Sequence, residues 1–106
     1  GNSNRAHGPN ASISGGISNE AGQQCSVSGG SHNQAIGLSS SISGGRSNIT
    51  SGPVSTISGG SFNTTDETST YTTISGGSEN RVRGRDSTIS GGCGITSSLD
   101  DCTHAP

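Results

Sequence analysis

Thr56-Ile57-Ser58-Gly59-Gly60 is one copy of a five-residue motif that occurs six times in this chain. Each copy has Ser or Thr, then Ile or Val, then Ser and two glycines. The central apolar residues are Ile13, Val27, Ile42, Ile57, Ile74 and Ile89. The steps between them are 14, 15, 15, 17 and 15 residues. A regular period of this size predicts a solenoid, in which each repeat forms one coil and neighbouring coils bury each other.

Each repeat has a second half that begins after the two glycines. An Asn stands three positions after the second glycine, and a small or β-branched residue stands two positions later. The Asn residues are Asn4, Asn19, Asn33, Asn48, Asn63 and Asn80. Both halves show the period-2 alternation of short strands and end in glycine turns. The predicted fold is therefore all-β and without helix, a parallel β-solenoid of about seven coils of 14–17 residues.

The same alternation predicts a thin interior. Ile or Val points inward from one strand, and Ala, Thr or Val points inward from the other. Hydrophobic residues are only 23% of the chain, too few for an ordinary globular core. Backbone ladders between coils are expected to supply the remaining stability, together with stacked Asn side chains that bond amide to amide along the axis. Cys25 falls at an inward position and is predicted to be a buried free thiol.

The repeats cover residues 1–92, and residues 93–106 are expected to form a C-terminal cap. Cys93 and Cys102 lie nine positions apart and are predicted to close this cap with a disulfide bond. Since disulfide bonds persist in oxidising compartments, the chain is expected to be extracellular and secreted.

Two features fall outside the regular coil. Between Asn63 and Ile74 the chain has two more residues than the regular spacing, and the segment 66–71 is predicted to be a surface bulge or protruding loop, with a binding role as the alternative. Sequons for N-glycosylation occur at Asn10, Asn48 and Asn63. Asn48 and Asn63 belong to the inward ladder, so only Asn10 is a glycosylation candidate.

The composition excludes several classes of function. Charged residues are 11% of the chain and the net charge is −2, so neither nucleic acid nor a membrane surface is an expected partner. No apolar run is long enough for a membrane span. His7, His32 and His104 fit no catalytic arrangement, and Cys93, Cys102 and His104 match no common zinc-ligand spacing. We therefore expect no enzyme activity, no cofactor and no metal site.

The residues that flank the inward Ile or Val are all short hydroxyls. They are predicted to form two columns on one face, Ser12, Ser26, Ser41, Thr56, Thr73 and Thr88 in the first and Ser14, Ser28, Ser43, Ser58, Ser75 and Ser90 in the second. The opposite face is mixed and carries residues such as Ile36, Asp66 and Arg81. A flat hydroxyl grid is suited to contact an ordered array of water, to carry sugars or to pack against another copy.

This coil resembles the repeats of two families of β-roll proteins. The segment Ser78-Glu79-Asn80-Arg81-Val82-Arg83-Gly84 is similar to the half-coil of ryegrass-type ice-binding proteins, x-x-Asn-x-Val-x-Gly, and residues 87–91 match the other half with Ser in place of Asn. The unit length also resembles the head repeats of trimeric autotransporter adhesins. Both resemblances span residues 1 to about 92 and imply a left-handed roll.

The two resemblances imply different functions. The first implies a non-catalytic extracellular antifreeze protein whose twelve hydroxyl residues bind ice or an ordered water surface. The second implies a structural or adhesive extracellular β-roll, an adhesin head or filament subunit with or without O-linked sugars, which self-associates through its flat face or its coil ends. The one-sided hydroxyl grid favours ice binding, and the adhesive function stays the alternative.

Overall fold

The computed structural model describes residues 3–97 and 103–104, and every strand in it is two residues long. The mixed sheet contains β1 (Arg5–Ala6), β3 (Glu20–Ala21), β5 (Gln34–Ala35), β7 (Ile49–Thr50), β9 (Thr64–Thr65), β11 (Arg81–Val82) and β13 (Thr96–Ser97). The hydroxyl sheet contains β2 (Ser12–Ile13), β4 (Ser26–Val27), β6 (Ser41–Ile42), β8 (Thr56–Ile57), β10 (Thr73–Ile74), β12 (Thr88–Ile89) and β14 (Thr103–His104). Consecutive strands of each sheet pair in parallel, so the fold is the predicted parallel β-solenoid.

The solenoid makes about six turns, slightly fewer than the predicted seven coils, because seven strands in each sheet are separated by six coil-to-coil steps. Strands β13 and β14 continue the two sheets beyond Gly92, within the segment expected to be a cap. Cys93 is exposed and forms no disulfide bond with another described cysteine. Cys102 lies outside the described residues, so the Cys93–Cys102 disulfide bond stays a prediction.

A third line of contact closes each coil at the corner that follows the two glycines. Isolated parallel bridges join Ile17, Ser31, Arg46, Ser61, Ser78 and Cys93 in successive coils. The second glycine of each pair precedes this line and has a left-handed φ, for example 87° at Gly30. A Cβ on Gly30 would overlap the carbonyl of Gly45 in the next coil, so this position requires glycine. Sequence patterns did not predict this line, since its residues share no side-chain type.

The core is one stack of side chains between the two sheets. Val27, Ile42, Ile57, Ile74 and Ile89 are exposed by 1% or less, which confirms the predicted inward column, and Ile13 is partly buried at its end. Ala21, Ala35, Thr50, Thr65 and Val82 are fully buried on the mixed-sheet side. Cys25 is a buried free cysteine, as predicted, and its thiol donates a hydrogen bond to the carbonyl of Gly37 at 2.8 Å.

The Asn residues form a buried ladder, but their bonds differ from the predicted ones. Asn48 Nδ2 donates to the carbonyl of Gly44 at 3.0 Å and to that of Gly60 at 3.1 Å. Its Oδ1 accepts the backbone N–H of Asn63 at 3.0 Å. The prediction of amide-to-amide bonds was therefore wrong. At the glycine corner some backbone N–H and carbonyl groups have no partner in a neighbouring strand. The Asn side chain bonds to both kinds of group, because its Nδ2 donates hydrogen bonds and its Oδ1 accepts them.

The hydroxyl face as candidate functional site

All twelve hydroxyl residues lie on the outer side of the hydroxyl sheet. The first column is in register from coil to coil, as in the pairs Ser41–Thr56 and Thr56–Thr73. The second column follows directly after each strand and is held by backbone hydrogen bonds to the next coil. Ser43 N–H donates to the carbonyl of Ile57 at 2.9 Å, for example. The backbone therefore sets the position of every residue of this face.

Within the part of the chain that the structure describes, the hydroxyls of this face have no protein partner. The second column is exposed throughout, whereas the first column is half-buried from Ser26 onward. Among the described residues, none of these twelve side chains forms a hydrogen bond or an ion pair with another protein group. Each hydroxyl can donate one hydrogen bond and accept two, so the whole bonding capacity of the face is available to water or to a ligand.

The two borders of the hydroxyl face differ in shape. The first glycines of the pairs, Gly15, Gly29, Gly44, Gly59 and Gly76, lie beside the second column, and a Cβ at any of them would meet nothing within 4 Å. This border is smooth although the fold has room for side chains there. The opposite border is a turn edge, whose residues Asn10, Gln24, Ser39, Val54, Tyr71 and Asp86 have φ of 52–60° and are exposed.

The mixed sheet has a different electrostatic character. Asp66 pairs with Arg81 at 3.0 Å and with Arg83 at 3.5 Å, and His7 lies 3.0 Å from Glu20. These contacts join neighbouring coils across the outer side of the mixed sheet. Charged groups and the exposed Ile36 make this side uneven. Within the described part of the chain, only the hydroxyl face is uniform and uncharged.

The two extra residues of the longest coil form a bulge directly after strand β9 of the mixed sheet. Ser69 is fully buried there, and its hydroxyl donates to the carbonyl of Val82 at 2.9 Å. The bulge lines an open pocket of about 480 Å³ together with the side chains of Ile49, Thr64 and Arg81. The lining contains the Asp66–Arg81 ion pair and the carboxylate of Glu67, so the pocket presents an acidic group beside a paired one.

The described residues include neither a metal-binding cluster nor a membrane-spanning helix. They contain no group of three or more His, Cys, Asp or Glu side chains placed to hold a metal ion. They also contain no helix with the length and apolar character needed to cross a bilayer.

No protein-family model, curated protein or solved structure matches this chain. The stacked coils are consistent with a β-roll, but the comparisons support neither of the two families that the repeats resemble.

Proposed function

We propose that this chain is a non-catalytic, extracellular ice-binding protein that adsorbs to ice or ordered water through its hydroxyl face. The observation that carries the proposal is the in-register grid of twelve Ser and Thr hydroxyls, none of which has a partner in residues 3–97. Rungs of a β-sheet are about 4.8 Å apart, and alternate residues of one strand are about 6.6–7 Å apart. Since the backbone holds this spacing before binding, adsorption orders few additional groups, which reduces its entropic cost.

The absence of charge supports the same function. A charged side chain holds a strongly oriented hydration shell, whereas short hydroxyls exchange hydrogen bonds with water at little cost. The smooth border at Gly44 and Gly59 lets a flat solid approach the second column without meeting a side chain. These features favour a regular water surface as the partner over a compact solute.

A structural or adhesive β-roll is the second candidate, and one observation favours it. Leu38, Val54 and Tyr71 are 48%, 42% and 65% exposed at the turn edge of successive coils. Exposed apolar patches often mark contacts between proteins. This edge borders the hydroxyl face but contains none of its twelve residues, so self-association can be measured in an assay of its own, apart from ice binding.

The test of ice binding is thermal hysteresis with ice-crystal shaping by the purified chain. Ser43 and Ser58 lie in the middle of the second column and are exposed. Replacing both with Tyr should remove most of the hysteresis, because two bulky rings keep the surrounding hydroxyls away from a flat surface. The unfolding midpoint should stay close to that of the unmodified chain, since neither side chain is buried.

Ile36→Tyr is the matched control, because Ile36 is 50% exposed on the mixed sheet and its side chain has no polar partner. It should leave hysteresis unchanged. Equal loss in both variants would show that the fold, and not the hydroxyl face, was perturbed. An unmodified chain without hysteresis that sediments as a trimer or fibre would support the adhesive function instead.

A further inference from the structure

The Asn side chain is buried in two of the three sequons of the chain and exposed in the third. Asn48 and Asn63 are fully buried. Each donates two hydrogen bonds from Nδ2, Asn63 to Gly59 at 3.0 Å and to Gly77 at 3.1 Å. Because Nδ2 is the atom that an N-linked sugar occupies, a glycan at either residue is incompatible with the folded coil.

Asn10 has the opposite environment. It is exposed, its φ is 59°, and its side chain forms no hydrogen bond with any described residue. The equivalent residues of the following coils, such as Gln24 and Tyr71, are exposed with φ of 55° and 58°. The residue with a left-handed φ at this edge therefore directs its side chain into solvent in every described coil. The exposure of Asn10 follows from this turn conformation and does not depend on the residues that precede it.

We propose that Asn10 is the acceptor of an N-linked glycan, within the sequon Asn10-Ala11-Ser12. The donor is a lipid-pyrophosphate-linked oligosaccharide of a secretory pathway. Asn10 Nδ2 forms a bond to the anomeric carbon of the first sugar and gives up one proton, while the bond from that carbon to the pyrophosphate oxygen breaks. The lipid pyrophosphate leaves, so the transfer requires neither an oxidant nor a reductant.

The position of Asn10 keeps this modification compatible with a ligand on the hydroxyl face. Asn10 belongs to the turn edge of the first coil, beside Ser12. Thr56 and Thr73 lie three and four coils further along the axis. At about 4.8 Å per coil, these rungs are roughly 14 and 19 Å away. A glycan at Asn10 covers the start of the face and leaves its centre open. This proposal shares with the proposed function the requirement that the chain is secreted, but it does not depend on ice binding.

The experiment is secretion of the chain from a eukaryotic cell line, followed by enzymatic release of N-glycans and mass measurement of each sequon. We expect one glycan per folded chain, at Asn10, and none at Asn48 or Asn63. Two variants should lose it completely. Asn10→Gln removes the acceptor and introduces the residue that Gln24 provides at the same place in the next coil. Ser12→Ala keeps Asn10 and removes the sequon hydroxyl.

Two results would overturn the proposal. One is a folded chain without a glycan at Asn10, and the other is a folded chain that carries a glycan at Asn48 or Asn63. If little protein is secreted, the same measurement is made on the protease-resistant fraction retained in the cells. The same two results would overturn the proposal there. Hysteresis is not part of the readout, so failure of this proposal and failure of ice binding can be told apart.

Discussion

At the scale of single residues, one Asn in each coil satisfies backbone groups that no strand reaches. Asn48 bonds the carbonyls of Gly44 and Gly60 and the N–H of Asn63, while its own N–H donates to Asn33 Oδ1 at 3.0 Å. Each Asn thereby joins its own coil to both neighbouring coils. A buried backbone group without a partner costs about 1–3 kcal/mol, so this residue matters more to stability than its polarity suggests.

Asn48→Ala should lower the free energy of unfolding by about 3–5 kcal/mol, because the Gly44 carbonyl and the Asn63 N–H lose their partners inside the coil. Guanidinium titration followed by circular dichroism measures the change. Gln34→Ala is the control, since Gln34 lies on the outer side of the mixed sheet without a side-chain hydrogen bond, and it should change stability by less than about 0.5 kcal/mol. Similar losses in the two variants would contradict the role given to the ladder.

At the scale of elements, the two connections of the coil differ in how much their length varies. From the start of each hydroxyl-sheet strand to the start of the next mixed-sheet strand there are always eight residues, as from Ser12 to Glu20 and from Thr73 to Arg81. The return connection takes 6, 7 or 9 residues. The constant connection contains the glycine corner and the Asn. Because this Asn forms hydrogen bonds to both neighbouring coils, only one length of the connection preserves them. Insertions are therefore confined to the turn edge.

The bulge of the longest coil also compensates for a missing glycine. Gly37 and Gly52 occupy the turn of the regular coils, and a Cβ on Gly37 would overlap the carbonyl of Gly52. The coil that contains the bulge has no glycine at this turn and carries Ser69 in the inserted segment instead. A longer connection places the Ser69 side chain where its hydroxyl can reach the carbonyl of Val82.

Deleting Glu67 and Thr68 restores the regular coil length and brings Ser69 to the place that glycine occupies in other coils. The deletion alone should destabilise the fold by more than about 2 kcal/mol, because the Ser69 Cβ would press on the backbone of the next coil. Combining the deletion with Ser69→Gly should recover most of this loss. Thermal unfolding of the two variants makes the comparison, and equal midpoints would show that the turn does not require glycine.

At the scale of the whole molecule, the hydroxyl face exists because every coil keeps the same strand register. A shift of one residue would exchange the inward Ile column with the outward hydroxyls. The first column also changes along the axis, from Ser12, Ser26 and Ser41 to Thr56, Thr73 and Thr88. Only the later half of the face therefore carries methyl groups, which restrict the orientation of nearby water.

Completing the Thr column should increase ice binding. Ser26→Thr combined with Ser41→Thr extends the methyl-bearing part of the face by two rungs without altering the interior, so hysteresis at equal concentration should rise. Ser51→Thr makes the same chemical change on the mixed sheet and should leave hysteresis unchanged. If both variants raise hysteresis equally, the increase comes from the strand preference of Thr and not from the face.

The repeat and its alternation were sufficient to predict the solenoid, the inward column of Ile57 and its equivalents, the buried thiol of Cys25 and the hydroxyl columns. Alternation is a local property of a strand, so it can be read from neighbouring residues alone. Only the tertiary structure decided the third line of bridges, the bonding of Asn48 to backbone groups, the outward direction of Asn10 and the pairing of Asp66 with Arg81. These features depend on how the chain turns its corners and on which residues the next coil places alongside, and no single repeat contains that information.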